Sequence, residues 1–358
     1  MPRVLTGVWL IALACWATGL AAPVSAQPTI SQDTATASAP LSPGQSEQID
    51  QFVVFWLGEL ANAQLTDDVR RARNQIVTQV TLPQTSEAFR DAFAGSFVKN
   101  ADPLLVNGPL VVRLNTMIVM SQTRRLGVLD LAGRVLVDDE NPAVRYWAAR
   151  TIEQVVVALQ AENQQIPNEL RRDLLQALQV AAAGEKAPTT LAQVFSAMAS
   201  LGAINELIQS LDGRLAAHVD DPSLLFLPER RAMEQLYIEL VRQLAAQGQV
   251  AMEPTIVELS RVALLYLTVA STQLAEAAEM DADLVQDKRR MVEQADLVLR
   301  WAVNELGQAG VLPPPIANAV RIQDWGAIVG QLGFWQRELT LSPFDFREAQ
   351  LSPGGEAE

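Results

Sequence analysis

The stretch DENPAVRYWAARTI, residues 139–152, decides the fold of this chain. Asn141 is suited to cap a helix, and Pro142 then occupies the first helical position, where its missing N–H costs nothing. Val144, Ala148 and Ile152 follow at the spacing of a single helical face. The stretch therefore predicts an α-helix with a sharp start and one buried side. The predicted buried face consists of Val144, Trp147, Ala148, Ile152, Val155 and Leu159.

The same helical periodicity extends in both directions from this stretch. Apolar residues recur at helix spacing from about residue 49 to residue 332, and Gly, Pro and Asp punctuate the turns. Apolar residues make up 49% of the chain but aromatics only 6%, which favours helices over strand-rich sandwiches. The pattern predicts an all-α fold.

An acidic turn, a proline and a Val-Arg pair resemble the second helix of a HEAT repeat, and the match is best over residues 138–156. Val69-Arg70, Val112-Arg113 and Val144-Arg145 follow one another at intervals of 43 and 32 residues, close to the period of two-helix repeats. The first two pairs lack the proline two residues before the valine. The resemblance implies an irregular α-solenoid of HEAT- or armadillo-like helical pairs, and a multi-helix bundle is the alternative.

Residues 1–26 predict a cleaved signal peptide. Arg3 precedes an apolar run, and Val24-Ser25-Ala26 provides the small residues of a cleavage site before Gln27. An uncleaved membrane anchor is one alternative, because the run is long enough to span a bilayer. Lipidation at Cys15 is another, although Ala12 stands where a large aliphatic residue is expected. We therefore expect an exported protein that is periplasmic, attached to the envelope or secreted.

Composition divides the rest of the chain into three parts. Residues 27–44 are rich in Ser, Thr, Ala and Pro and predict a disordered linker. Residues 45–341 form the predicted helical repeat region, with a seam at 184–190, where Gly184 ends one helix and Pro188 precedes the next. Residues 342–358 form a C-terminal tail. No second segment after the signal peptide is predicted to span a membrane.

Charge and residue usage exclude several functions. A net charge of −14 repels phosphate backbones and disfavours nucleic-acid binding. Cys15 is the single cysteine, so the processed chain has no disulfide or thiolate chemistry. His218 is the single histidine, which excludes a multi-imidazole zinc site; we expect it to interact with a helix C-terminus, with a general base as the alternative. The sequence predicts no cofactor and no metal.

These exclusions favour an exported, non-enzymatic helical repeat protein that binds a protein or an envelope component. One alternative is an all-α enzyme that uses carboxylates to cleave polysaccharide. Another is a helical binder of an apolar ligand, suggested by the apolar helices at 110–120 and 256–270. Candidate partner-binding residues are Arg145, Tyr146 and Arg150, and the C-terminal aromatics Trp325, Trp335 and Phe344. For the aromatics, the alternative is a cap on the last helical pair.

Overall fold

A computed structural model describes residues 27–276, 280–306 and 311–353. Within these ranges the chain forms 15 α-helices and no strand, which confirms the all-α prediction. The predicted signal peptide, with Cys15, lies outside the described residues.

The helices follow one another with short connections. They are α1 Gln32–Ala35, α2 Pro43–Asn62, α3 Thr66–Thr81, α4 Glu87–Asn107, α5 Leu110–Thr123, α6 Leu129–Asp138, α7 Pro142–Ala161, α8 Asn168–Gly184, α9 Pro188–Ser200, α10 Ile204–Asp220, α11 Leu227–Gln247, α12 Gln249–Ala275, α13 Ala282–Glu305, α14 Ile316–Ile322 and α15 Trp325–Leu339. Single 3₁₀ turns occur at Leu126–Val128 and Glu348–Leu351.

Most of the helices lie in two rows. The odd-numbered helices from α3 to α13 each pack against the next odd-numbered helix, and the even-numbered helices from α2 to α12 do the same. Each even-numbered helix also packs against the odd-numbered helix that follows it in the chain. At the C-terminal end, α15 covers α12, and α14 contacts α13 and α15. The apolar faces of both rows meet in one continuous core.

Helix α7 illustrates how the sequence pattern becomes packing. Five of its six predicted buried residues are at most 2% exposed: Val144, Ala148, Ile152, Val155 and Leu159. The sixth, Trp147, is only half-buried and lies at the edge of the core. The Asn141 side chain accepts a hydrogen bond from the backbone N–H of Ala143, as the predicted N-cap requires.

Two arginines of the odd-numbered row reach the acid that precedes the next helix of the same row. Nη1 of Arg113, in α5, lies 2.8 Å from Oδ2 of Asp139, just before α7. Nε of Arg145, in α7, lies 2.8 Å from Oε2 of Glu185, before α9. Both carboxylates are buried, with side chains 3% and 2% exposed. We call these two pairs the arginine–acid ladder.

Both acids of the ladder also organise the turn in which they lie. Asp139 accepts a hydrogen bond from the backbone N–H of Asn141 at 2.8 Å. Glu185 accepts from the backbone N–H groups of Lys186 at 2.9 Å and Ala187 at 2.8 Å. Burial acts to raise the pKa of Glu185, but Arg145 and these N–H groups hold the pKa below its ordinary value.

The three Val-Arg pairs of the sequence are not equivalent in the structure. Arg113 and Arg145 form the ladder, whereas Arg70 is exposed and pairs only with Asp67 one turn away. At the corresponding junction between α3 and α5, Arg73 donates instead to the Asn115 side chain at 3.1 Å. Only the second and third pairs therefore share one structural role.

The predicted linker at 27–44 differs from a disordered spacer. It contains α1, capped by Ser31, and Thr34 and Ala35 are buried. Helix α2 also starts inside it, at Pro43, because Ser42 and Gln45 form a capping box. The predicted tail likewise contributes buried side chains at Phe344 and Leu351. Composition suggested a spacer, but local caps and a few apolar contacts dock these segments on the core.

We predict that Arg145→Gln lowers the free energy of unfolding by about 3 kcal/mol, because it leaves the buried Glu185 carboxylate without its cation. Urea unfolding measures the loss. Arg70→Gln is the matched control, since its pair is exposed and is worth about 0–1 kcal/mol. Equal effects of the two substitutions would contradict the ladder's role.

The pH dependence follows from the lowered pKa of Glu185. Its contribution is complete above the pKa of an unfolded glutamate, about 4.3, and is lost as the pH falls through the lower folded pKa. We therefore expect Glu185→Gln to destabilise the protein near pH 7 and the difference from wild type to shrink towards about pH 3. Urea unfolding at both pH values measures this, and a constant difference would be inconsistent with it.

Candidate binding surface on helix α7

Arg145, the first predicted binding residue, is engaged inside the fold. Its Nε contacts Glu185, and its Nη1 donates to the carbonyl oxygens of Asp139 and Glu140, both at 2.9 Å. The side chain retains 20% exposure. All of these contacts join neighbouring helices and their turns, so the structure places Arg145 in a bridging position and not on a free surface.

Tyr146, Trp147 and Arg150 form a cluster at the surface of α7, and we call it the α7 patch. All three side chains are half-buried. The rings of Tyr146 and Trp147 meet edge to face, with centroids 5.8 Å apart. The Arg150 guanidinium lies 5.5 Å from the centre of the Trp147 ring, and its Nη1 is 3.4 Å from the Tyr146 hydroxyl. The three side chains therefore hold one another in place.

The α7 patch continues along the same helix face. Glu153 and Val157 follow Tyr146 and Arg150 at helical spacing, and Val157 is 52% exposed. Glu153 accepts a hydrogen bond from the Gln193 side chain of α9 at 2.6 Å, which orders the middle of this face. The surface thus combines aromatic, cationic and apolar groups, and Tyr146, Trp147, Arg150 and Glu153 are ordered by contacts within the fold.

The C-terminal aromatics lie elsewhere, and the structure corrects two of them as candidate binding residues. Trp335 is 0% exposed and Phe344 is 4% exposed, so neither reaches a partner. Trp325 is half-buried at the start of α15. Nε1 of Trp335 donates to Oδ1 of Asp296 in α13 at 3.2 Å. These residues form a cap, because α15 and the segment after it cover the apolar side of α12.

Asp296 is the polar centre of this cap. Its Oδ2 accepts from Nε of Arg300 at 2.7 Å and from the backbone N–H of Ile316 at 3.2 Å. Arg300 also donates to the carbonyl oxygens of Pro313 and Pro314. One buried carboxylate therefore joins α13, the proline-rich turn, α14 and α15.

The single histidine lies in a second buried polar cluster, between α10 and α11. His218 and Glu229 are both 0% exposed, and Nε2 of His218 lies 3.2 Å from Oε1 of Glu229. The same oxygen accepts from Nε of Arg214 at 2.8 Å. The His218 ring stacks on Phe226 with centroids 4.1 Å apart. The sequence predicted a helix-terminal histidine; it did not indicate its burial or the distant partner Glu229.

A buried lysine completes this cluster from α13. Lys288 is 0% exposed, and its Nζ donates to the Gln273 side chain at 2.6 Å and to the Pro222 carbonyl at 2.7 Å. Gln273 in turn donates to the carbonyl of His218. Neighbouring Asp287 accepts from the backbone N–H of Phe226. Helices α12 and α13 thereby hold the end of α10 and the loop that connects it to α11.

Burial sets the ionisation of the cluster. It raises the pKa of Asp287, lowers that of Lys288 and raises that of Tyr266 well above its ordinary value. Burial also acts to raise the pKa of Glu229, but His218 and Arg214 hold that pKa below its ordinary value. His218 and Glu229 are both closed to solvent in this arrangement, and their contacts join α10 to α11.

Two further features bear on the chemistry. Among the described residues, no group of three or more His, Cys, Asp or Glu side chains is placed to hold a metal ion. Within the same ranges one helix, Gln249–Ala275, is long and apolar enough to cross a membrane by length and composition, and 67% of its apolar window is buried inside the protein. Such burial is what a core helix of this length also shows.

The comparisons with known proteins give no family assignment. No family model matches the chain, and no curated protein matches it.

We predict that Glu229→Gln lowers the free energy of unfolding by about 3 kcal/mol, because Arg214 and His218 lose a buried carboxylate. The matched control is Glu239→Gln on the same helix, whose partner Arg242 is 71% exposed. That pair is worth about 0–1 kcal/mol. Thermal and urea unfolding distinguish the two variants, and a Glu229→Gln protein as stable as wild type would contradict a structural role.

Proposed function

We propose that this chain is an exported, non-enzymatic helical repeat protein, an irregular α-solenoid of HEAT-like pairs, that binds a protein or an envelope component through the α7 patch. The solenoid is supported by the two rows of helices and by the arginine–acid ladder, which repeats one contact between successive helices of a row. Export is supported by the sequence of residues 1–26.

The α7 patch is the single observation that carries the binding proposal. Tyr, Trp and Arg are the residue types that contribute most to protein interfaces, and here they are contiguous and partly open to solvent. Their mutual contacts reduce the side-chain entropy lost on binding, because the Arg150 guanidinium is already held over the Trp147 ring. Arg145 supports the patch from within, by fixing the start of α7 against the turn before α9.

A non-enzymatic role is supported by where the reactive side chains lie. His218 and Glu229, the residues best suited to acid–base chemistry, are fully buried and contact other parts of the fold. Their neighbours Arg214, Gln273 and Lys288 already make hydrogen bonds within the cluster.

The binding proposal is tested by placing a photo-crosslinking phenylalanine analogue at position 146 and mixing the protein with envelope extract. We expect a discrete crosslinked species that disappears when Arg150→Glu is added, because the charge reversal disrupts the patch. The matched control carries the analogue at Val54, which is 52% exposed on α2. Equal crosslinking from both positions, or a species that persists with Arg150→Glu, would count against the patch.

Export is tested by expressing the full chain in a bacterium that has a periplasm. We expect a periplasmic protein whose N-terminus is Gln27, because cleavage follows Ala26. N-terminal sequencing and intact mass measure this. A full-length membrane-bound chain, or a lipid attached to Cys15, would replace this proposal with one of its alternatives.

A further inference from the structure

A groove runs between α6 and α8, in the even-numbered row and away from the α7 patch. Its volume is about 310 Å³. The residues that line it recur at helical spacing from Asp130 to Asp138 on α6 and from Leu170 to Val180 on α8. The α6 side extends over about 12 Å, or two helical turns. This length suits a short helical segment better than a compact metabolite.

The floor of the groove is apolar. Its apolar lining residues are Val137, Leu170, Leu174, Ala177 and Val180. Val137 and Val180 are 44% and 53% exposed, so apolar surface is left in contact with water. Gly133 lets the two helices approach closely, since a Cβ there would lie 3.3 Å from Cδ2 of Leu174.

The rim of the groove is acidic. The lining contains three aspartates, Asp130, Asp138 and Asp173, and one arginine, Arg134. Exposed Arg172 lies next to the lining, with Nη2 3.4 Å from Oδ1 of Asp173, so an excess of negative charge remains. Arg134 is already paired, with Nη2 3.2 Å from Oδ2 of Asp102 and Nε 3.5 Å from Oδ2 of Asp130. These carboxylates raise the pKa of Arg134. The groove therefore presents a negative rim around an apolar floor.

Charge decides which occupant fits. A second copy of this chain carries a net charge of −14 and is repelled by this rim. The chain's own last residues, GGEAE at 354–358, contain acids and no base. An apolar ligand makes no use of the excess negative charge at the rim. We propose that the groove binds a cationic amphipathic helix of a partner protein, which inserts large apolar side chains and pairs lysines or arginines with the rim.

The test uses a fluorescein-labelled peptide of leucine and lysine, about 18 residues long, whose leucines fall on one helical face. Fluorescence anisotropy with the processed protein measures binding. We expect saturable binding that weakens as salt is added. A leucine–glutamate peptide of the same pattern and a scrambled leucine–lysine peptide are expected not to bind.

Two groove variants test the location of the site. Ala177→Trp fills the floor, and Asp138→Lys with Asp173→Lys reverses the rim, so each is expected to weaken binding at least about tenfold. The matched control for the first is Ala183→Trp, an exposed position of the same helix outside the groove. The control for the second is Asp50→Lys with Glu59→Lys on α2, which changes the net charge equally.

The possible results of these measurements either support the proposal or overturn it. Loss with the groove variants alone supports the proposal. If Asp50→Lys with Glu59→Lys weakens binding as much as the rim reversal does, the peptide responds only to net charge and the proposal fails. If Ala183→Trp weakens binding as much as Ala177→Trp does, the site does not lie in the groove and the proposal fails. Absence of saturable binding, or equal binding of the scrambled or the acidic peptide, also overturns it. Circular dichroism checks that Ala177→Trp folds, and the exposed charge reversals test the same site without filling the floor.

Discussion

A buried carboxylate needs a partner, and Glu185, in the turn before α9, finds it in Arg145 of α7. Glu185 is 5% exposed, and its charge is stabilised by Arg145 and two backbone N–H groups. The contact limits how far α7 and α9 can slide past each other, because a shift by one residue would break the hydrogen bond between Arg145 and Glu185 while the two backbone N–H groups keep the carboxylate in its turn. Apolar packing supplies most of the stability, but it is far less directional.

The requirement that a buried carboxylate has a partner applies to three polar clusters in different parts of the fold. The arginine–acid ladder sets the spacing of the odd-numbered row. The cluster around His218 and Glu229 fixes the loop between α10 and α11, and Asp296 fixes the C-terminal cap. In each cluster a buried acid, or two in the ladder, joins different elements of the fold. As a result, His218 and Glu229 are among the least accessible side chains of the described residues.

The sequence was sufficient for some of these features and not for others. Helical periodicity predicts the all-α fold, and the cap at Asn141 with Pro142 predicts the start of α7, because both depend on local rules. The pairing of Arg145 with Glu185 spans 40 positions and has no local signature. Trp335 is buried and donates to Asp296, a residue 39 positions away, so an aromatic cluster in the sequence does not by itself reveal whether it faces solvent or core. The contact between Arg150 and Tyr146, by contrast, follows from a local rule, because residues four positions apart share one face of a helix.

The C-terminal cap has a consequence for self-association. A row of packed helices ends in an apolar face. If that face is uncovered, another copy can bind to it, and repeated binding of this kind produces a fibre. Here α15 covers α12, and the Trp335 side chain donates a hydrogen bond to Asp296. The last pair is therefore already occupied by its own chain. The apolar side of α12 is thus closed to a second copy by the same tryptophan that, in the sequence alone, resembles a docking anchor.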